Sequence, residues 1–277
     1  MIPSHTFVGK ADAPHLAFLM HGVLGAGHNL RSVAKRLVAA RPEYRFALID
    51  LRYHGKSLGA PAPHNIASCV DDLLDLSEHL GQAPKVVIGH SLGGKVALAY
   101  GQRHDSPSLS LRAPQMANSS SLKQVWTLDS DPGSQTPGGA HQVRTVVSAL
   151  RDHPGPFSSR DEAIQSILST GLSSGLANWL ATNLARRDGE VHWQFDMDAI
   201  QLLLDDYFNL DMWPFLEGLP EQFPSSKGGA TYELLLADES DRWSGSMKDR
   251  AGSLAPHPRI RTHVLENAGH WVHVDNP

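Results

Sequence analysis

Gly89-His90-Ser91-Leu92-Gly93 follows the apolar run Lys85-Val86-Val87-Ile88 and precedes Gly94-Lys95-Val96-Ala97-Leu98-Ala99-Tyr100. Val and Ile in succession suit a strand buried on both faces, and the Ala/Leu run after the glycines suits a helix. Ser91 therefore falls where a strand turns sharply into a helix, the context that a G-x-S-x-G nucleophile elbow requires. Such a turn exposes the serine hydroxyl and brings Gly89 and Gly93 into close approach. A tight turn without chemistry is the competing reading of the same five residues.

Strands and helices alternate on the amino-terminal side. Residues 1–14 are polar, with Pro3 and Pro14, and read as an irregular arm or weak edge strand. Residues 16–20 form an apolar strand opening into the glycine-rich loop His21-Gly22-Val23-Leu24-Gly25-Ala26-Gly27, after which Asn29 is expected to cap a helix bearing Leu30, Val33, Ala34, Leu37 and Val38. Residues 44–51 are the next strand, and residues 66–80 an amphipathic helix stopped by Gly81. This alternation predicts the α/β class, a mostly parallel sheet with helices on both faces. In such sheets ligands bind at the carboxyl ends of the strands, where Val23, Arg52 and Ser91 emerge.

Residues 105–121, rich in Ser and Pro, read as a surface loop, and residues 124–128 return to a strand ending at Asp129-Ser130-Asp131-Pro132. Residues 134–228 break the alternation. Helices are expected near 143–150, 160–185 and 198–208, and Trp179, Trp193, Phe195, Tyr207, Phe208, Trp213 and Phe215 concentrate there. We expect an α/β core over 1–133 and 229–277, with 134–228 laid over the strand ends as a helical lid. For any single one of these aromatics, holding the insertion together is the expected role. Two further strands follow, at 232–237 and 261–265, with a helix near 246–254 between them.

Composition narrows the function classes. The chain has 277 residues, 41% hydrophobic and 19% charged, and a formal net charge of -5, which favours small-molecule chemistry over nucleic acid or an anionic membrane. Cys69 is the only cysteine, so no internal disulfide and no cysteine-based zinc site is expected. The sixteen histidines lack a repeated ligand spacing, so no metal or other cofactor is expected. No stretch approaches a membrane span, and Met1 to Phe7 lack a signal-peptide pattern. The expectation is a cytoplasmic monomer or homodimer, or an organellar matrix protein if a transit peptide was removed.

A serine nucleophile needs a base. His270 follows the last strand behind Gly269, late in the chain as the order Ser, acid, His requires; His273 is its rival and would face differently. An acid must orient the histidine, and Asp129, Asp131, Asp238 and Asp241 all sit after core strands. The residues alone leave the four open. Two backbone amides must meet the oxyanion: Leu92, next after the nucleophile, and Val23, in the loop after the neighbouring strand.

These motifs resemble the α/β-hydrolase superfamily over nearly the whole chain. Asp50-Leu51-Arg52-Tyr53-His54-Gly55-Lys56-Ser57, the Ser91 motif and Gly269-His270-Trp271-Val272-His273 are similar to one branch, which holds small bacterial esterases, the mitochondrial abhydrolase-domain-containing protein 11 group and yeast ethanol acetyltransferases. Arg187-Asp188-Gly189 through Trp193 to Asp198-Ala199-Ile200 resembles the lid segment of that branch. The resemblance implies an acid in an Asp-x-x-Pro turn, which maps onto Asp129, and the more usual later acid position falls on Ser240. It also implies a helix beyond the position of Pro277, without which apolar surface would be exposed, and a shorter path from Ser91 to the acid than this chain has.

The expected activity is hydrolysis of carboxylic esters or thioesters of short to medium acyl chain. It would proceed through an acyl-enzyme on Ser91, with His270 as base, Asp129 as acid partner, and Val23 and Leu92 at the oxyanion. Acyl transfer to an alcohol is the near alternative. A ligand-binding protein on a retained scaffold is the distant one.

Overall fold

The computed structural model describes residues 1–105, 122–135, 141–222, 229–254 and 256–276. The amino-terminal arm supplies a strand, β1 (His5–Val8), followed by β2 (His15–Met20), α1 (Arg31–Ala40), β3 (Tyr44–Ile49), α2 (Ile66–His79), β4 (Val86–His90), α3 (Leu92–Asp105) and β5 (Gln124–Leu128). Then come α4 (His141–Asp152), α5 (Arg160–Leu168), α6 (Ser174–Leu180), β6 (Leu184–Arg187), β7 (Glu190–Trp193), α7 (Met197–Asn209) and α8 (Trp213–Gln222). The chain closes with β8 (Thr231–Ala237), α9 (Gly245–Ser253), β9 (Ile260–Leu265) and α10 (Val272–Asp275).

Among the described residues, the main sheet has the order β1-β3-β2-β4-β5-β8-β9. Only β1 runs antiparallel to its neighbour; the other pairings are parallel. Side chains alternate across a strand, and β2 shows the consequence. Leu16, Phe18 and Met20 enter a large core shared with α2, α3 and the segment between β5 and β8, while Ala17 and Leu19 enter a second core with Leu30, Ala34, Phe46 and Leu48. A strand buried on both faces needs the uninterrupted apolar run that the sequence carries.

Local structure departs from expectation in two places. Asn29 does not cap α1: its side-chain oxygen accepts the Ala26 N–H at 2.8 Å within a short 3-10 turn, Gly27–Leu30. The helix expected over 160–185 is two helices, a 3-10 turn at Ala181–Asn183 and the start of a strand. Ser159 caps α5 through the Glu162 N–H, Gly171 takes φ +86°, and Ser173 caps α6 through the Leu176 N–H. Residues 184–193 then form the hairpin β6-β7, whose two-residue turn Asp188-Gly189 has φ +51° and +89°. Both residues left-handed is the turn that matches strand twist, and Asp-Gly is its preferred pair. The surface loop expected at 105–121 lies outside the described residues apart from Asp105, which ends α3. Among the described residues, no helix is long and apolar enough to cross a membrane.

Candidate active site

Ser91, Asp129 and His270 come together at the carboxyl end of the sheet through strand register. His90 on β4 lies opposite Leu128 on β5, so Ser91 and Asp129 are the next residues out on adjacent strands. The Ser91 N–H donates to the Leu128 carbonyl at 3.1 Å, and the Asp129 N–H to the Leu235 carbonyl of β8 at 2.8 Å. Both residues are left-handed, with φ +51° at Ser91 and +45° at Asp129. A non-glycine residue in that region costs about 1–3 kcal/mol and persists only where its surroundings hold it. At the elbow the flanking residue must be small: a Cβ on Gly89 would collide with the Gly93 carbonyl. The Ser130 hydroxyl closes the turn from the other side, donating to the Ser91 carbonyl at 2.6 Å.

Among the four candidate acids, Asp129 is the one hydrogen-bonded to His270. His270 Nδ1 lies 2.7 Å from Asp129 Oδ2, and the carboxylate is fully buried. The same Oδ2 accepts the Ser240 hydroxyl at 2.5 Å, while Oδ1 accepts the Ala237 N–H at 3.1 Å. Ser240, the position onto which the resemblance maps the more usual later acid, here donates a hydrogen bond to Asp129 on the neighbouring strand.

The other three aspartates are engaged elsewhere. Asp131 lines the cleft, accepts the Gly133 N–H at 2.7 Å and has its carboxyl pushed up by burial. Asp238 accepts the Asn267 and Ala268 N–H groups at 3.1 Å each, which hold its carboxyl below the ordinary range and fix the loop leading to His270. The Asp241 side chain is 77% exposed and faces Arg242.

Neutral, buried histidines support the site. His90 Nε2 donates to the His270 carbonyl at 2.7 Å, and the two rings lie 4.7 Å apart. A carbonyl can only accept, so this bond specifies the Nε2–H form of His90; burial drives its pKa well below the ordinary value. His21 holds the glycine-rich loop against β3: Nδ1 donates to the Gly22 carbonyl at 2.7 Å, and Nε2 accepts the Leu51 N–H at 3.0 Å. Burial lowers its pKa to about 4. His273, the rival base, is buried against His90 and not directed to Asp129, and burial lowers it to about 4. Sequence reasoning missed these roles for His21 and His90, although both stand inside motifs it singled out.

A cleft open to solvent lies over Ser91 and His270. Val23 and Leu92 line it beside Ser91, and Val143, Leu204, Tyr207 and Phe208 from α4 and α7 form an apolar wall. Of the seven aromatics singled out between 134 and 228, Tyr207 and Phe208 reach the cleft, whereas Trp193 stacks on Phe195 and Phe215 packs on Tyr232. Trp179 lies 4.4 Å from Trp271, the neighbour of His270. Asn183 donates to the carbonyl of Leu24, itself left-handed at φ +59°, at 3.2 Å. Among the described residues, no group of three or more His, Cys, Asp or Glu side chains is arranged to hold a metal ion.

The profile of the alpha/beta hydrolase family matches residues 17–277, and the chain belongs to that family. Several of its relatives are named as lipases or esterases. It is 29% identical over 275 residues to the sn-1-specific diacylglycerol lipase ABHD11 of Mus musculus, covering 97% of this chain and 79% of that protein. It is 25% identical over 259 residues to esterase YbfF of Escherichia coli strain K12, covering 94% of this chain and 87% of that protein. A solved structure described as a marine microorganism esterase shares the fold with a TM-score of 0.74 at 21% identity, over 99% of this chain and 95% of its own.

Proposed function

We propose that this carboxylic ester hydrolase works through an acyl-enzyme on Ser91, with His270 as general base and acid and Asp129 as the group that orients it. The observation that carries the reading is the 2.7 Å bond from His270 Nδ1 to the buried Asp129 carboxylate, in the cleft that also holds Ser91. That bond places the proton of neutral His270 on Nδ1 and leaves Nε2 as the free base. Nε2 takes the Ser91 proton as Oγ attacks the ester carbonyl. The tetrahedral oxyanion is met by the amides of Val23 and Leu92, an arrangement in which each donor contributes about 3 to 4 kcal/mol. Collapse breaks the bond to the alcohol, which leaves with the proton from Nε2. Water repeats the sequence on the acyl-enzyme, and the carboxylic acid departs.

Residues 134–228 serve as the lid in this reading, and α4 and α7 supply the wall on which the acyl chain packs. An apolar wall of Val143, Leu204, Tyr207 and Phe208 suits the acyl chain of a small ester, and we take short to medium chains as its substrates.

The test is turnover of p-nitrophenyl acetate and butyrate by the purified protein and by Ser91→Ala, with fluorophosphonate labelling of each. The expected result is turnover and labelling in the parent and neither in Ser91→Ala. Turnover in Ser91→Ala at the parent rate overturns the reading. An ethyl ester among the products when ethanol is present would make the enzyme an acyltransferase with the same first step.

A further inference from the structure

Lys95 is a cation that the chemistry above does not use. It lies one helical turn after Ser91 on α3, and its own N–H donates to the Ser91 carbonyl at 3.3 Å. Its side chain is fully buried. The ammonium donates to three backbone carbonyls: Gly133 at 2.8 Å, Tyr207 at 2.8 Å and Leu210 at 3.0 Å. An ammonium has three N–H donors, and all three are engaged. The Tyr207 ring lies 4.3 Å from Nζ.

This placement follows from the electrostatics of a helix end. The last carbonyls of α7 lack partners within the helix and carry its negative dipole end, so a buried cation is held there without a direct ion pair. The acids whose fields reach it are Asp131, Asp206 and Asp211, and burial lowers its pKa to about 8. With every N–H engaged on a carbonyl, Lys95 holds the charge in place and is not poised to accept a proton from substrate.

The segments it ties together line the cleft. α7 contributes Leu204, Tyr207 and Phe208, and the loop after β5 contributes Asp131 and Gln135. Two backbone bonds of 2.8 Å run alongside, Gln135 N–H to the Phe208 carbonyl and Met212 N–H to the Pro132 carbonyl. We propose that Lys95 is a specificity-determining positioning residue, which fixes the acyl-facing wall relative to the nucleophile by tying the carboxyl end of α7 and the loop after β5 to α3. This rests on the reading of the cleft as an acyl site.

The experiment compares the full chain with Lys95→Met, which keeps length without donors, and Lys95→Gln, which keeps two donors. Hydrogen exchange is read on peptides spanning 131–135 and 203–212. The expected result in Lys95→Met is exchange about tenfold faster there, with β2 to β4 unchanged. On p-nitrophenyl esters from acetate to decanoate, kcat for acetate stays within about threefold while KM for butyrate and hexanoate rises about tenfold, flattening the chain-length profile. Lys95→Gln shows the same pattern at smaller amplitude, and it carries the comparison if Lys95→Met does not fold. Uniform acceleration of exchange, unchanged local exchange, or an equal loss on every ester would overturn the proposal. Should Ser91→Ala retain turnover, the catalytic reading is the one that fails, and local exchange still decides whether Lys95 is the tether.

Discussion

The strand ends and the insertion meet at one cleft, but different bonds hold them there. Ser91 and Asp129 are fixed by main-chain hydrogen bonds to neighbouring strands, and the Asp129 carboxylate is fixed by the Ala237 amide. The insertion shares a few main-chain bonds with the core, among them Met212 N–H to the Pro132 carbonyl and Asp196 N–H to the Tyr53 carbonyl, and is further tied by side chains: Lys95 to Tyr207 and Leu210, Asn183 to Leu24, and Trp179 against Trp271. Geometry held by sheet register cannot be altered without altering the sheet. Geometry held by single side chains can be changed one residue at a time, which in the proposed reading suits a wall that chooses substrates beside machinery that does not change.

The largest effect should come from the sheet side. Asp129→Asn keeps the shape but weakens the hydrogen bond that holds His270 in its tautomer, and kcat should fall by about 10⁴-fold. Asp131→Asn and Asp238→Asn, measured on the same ester, should cost about tenfold or less in kcat/KM. Equal losses at Asp129 and Asp131 would break the assignment of the acid to the strand-end network.

Acid should then unsettle the sheet side selectively. His21, His54, His90 and His273 are all buried at or beside the strand ends, and desolvation depresses each, to about 4 for His21 and His273 and about 3 for His54. The unfolded chain binds protons at these positions below about pH 6.5, whereas the folded chain does not until near the depressed values. Their contribution is therefore fully present above about pH 6.5 and is lost as pH falls towards about 4, at about 1.4 kcal/mol per histidine per pH unit. Denaturant titrations from pH 7 to 4.5 should show this slope, and His273→Leu should reduce it by one histidine's share. An unchanged slope would remove His273 from the set.

Ser240→Ala should cost less. It removes one donor to Asp129 and leaves two, so kcat should fall about tenfold. A loss as large as that of Asp129→Asn would mean that Ser240 holds the strand ends together as well as donating one bond. On the insertion side, Leu204→Ala shortens a wall residue. It should leave acetate turnover within about twofold and raise kcat/KM for longer acyl esters several-fold, about 1 kcal/mol of binding.

The same division decides how much could be read from the sequence. Ser91 and Asp129 stand directly after strands and His270 in the loop after β9, positions at which chemistry restricts the residue types, so all three were candidates from the sequence; among the four aspartates it was the resemblance, not the residues, that pointed to Asp129. The strands themselves were legible because burial on both faces requires an apolar run. Lys95 and Asn183 were not, because their partners lie 38 or more residues away and no local pattern announces them. The split of 160–185 was marked by Gly171, Ser173 and the Asp188-Gly189 pair, but the apolar spacing of the flanking helices continues across those residues. A helix and a short hairpin packed on the same core present similar apolar periodicity, so turn chemistry and not periodicity separates them.

The hairpin turn offers the smallest test and the cleanest. Gly189 has φ +89°, and a Cβ built there meets nothing within 4 Å. Gly189→Ala therefore carries a backbone cost alone, about 1 kcal/mol, with no packing change to confuse it. For a chain of this size, the melting temperature should fall by about 2 to 4 °C. Because β6 and β7 pair with each other and not with the main sheet, kcat/KM on acetate and hexanoate esters should stay within about twofold. A loss of activity larger than that would show that strain in the insertion reaches Ser91 through its side-chain tethers, and the two regions would then have to be treated as one mechanical unit.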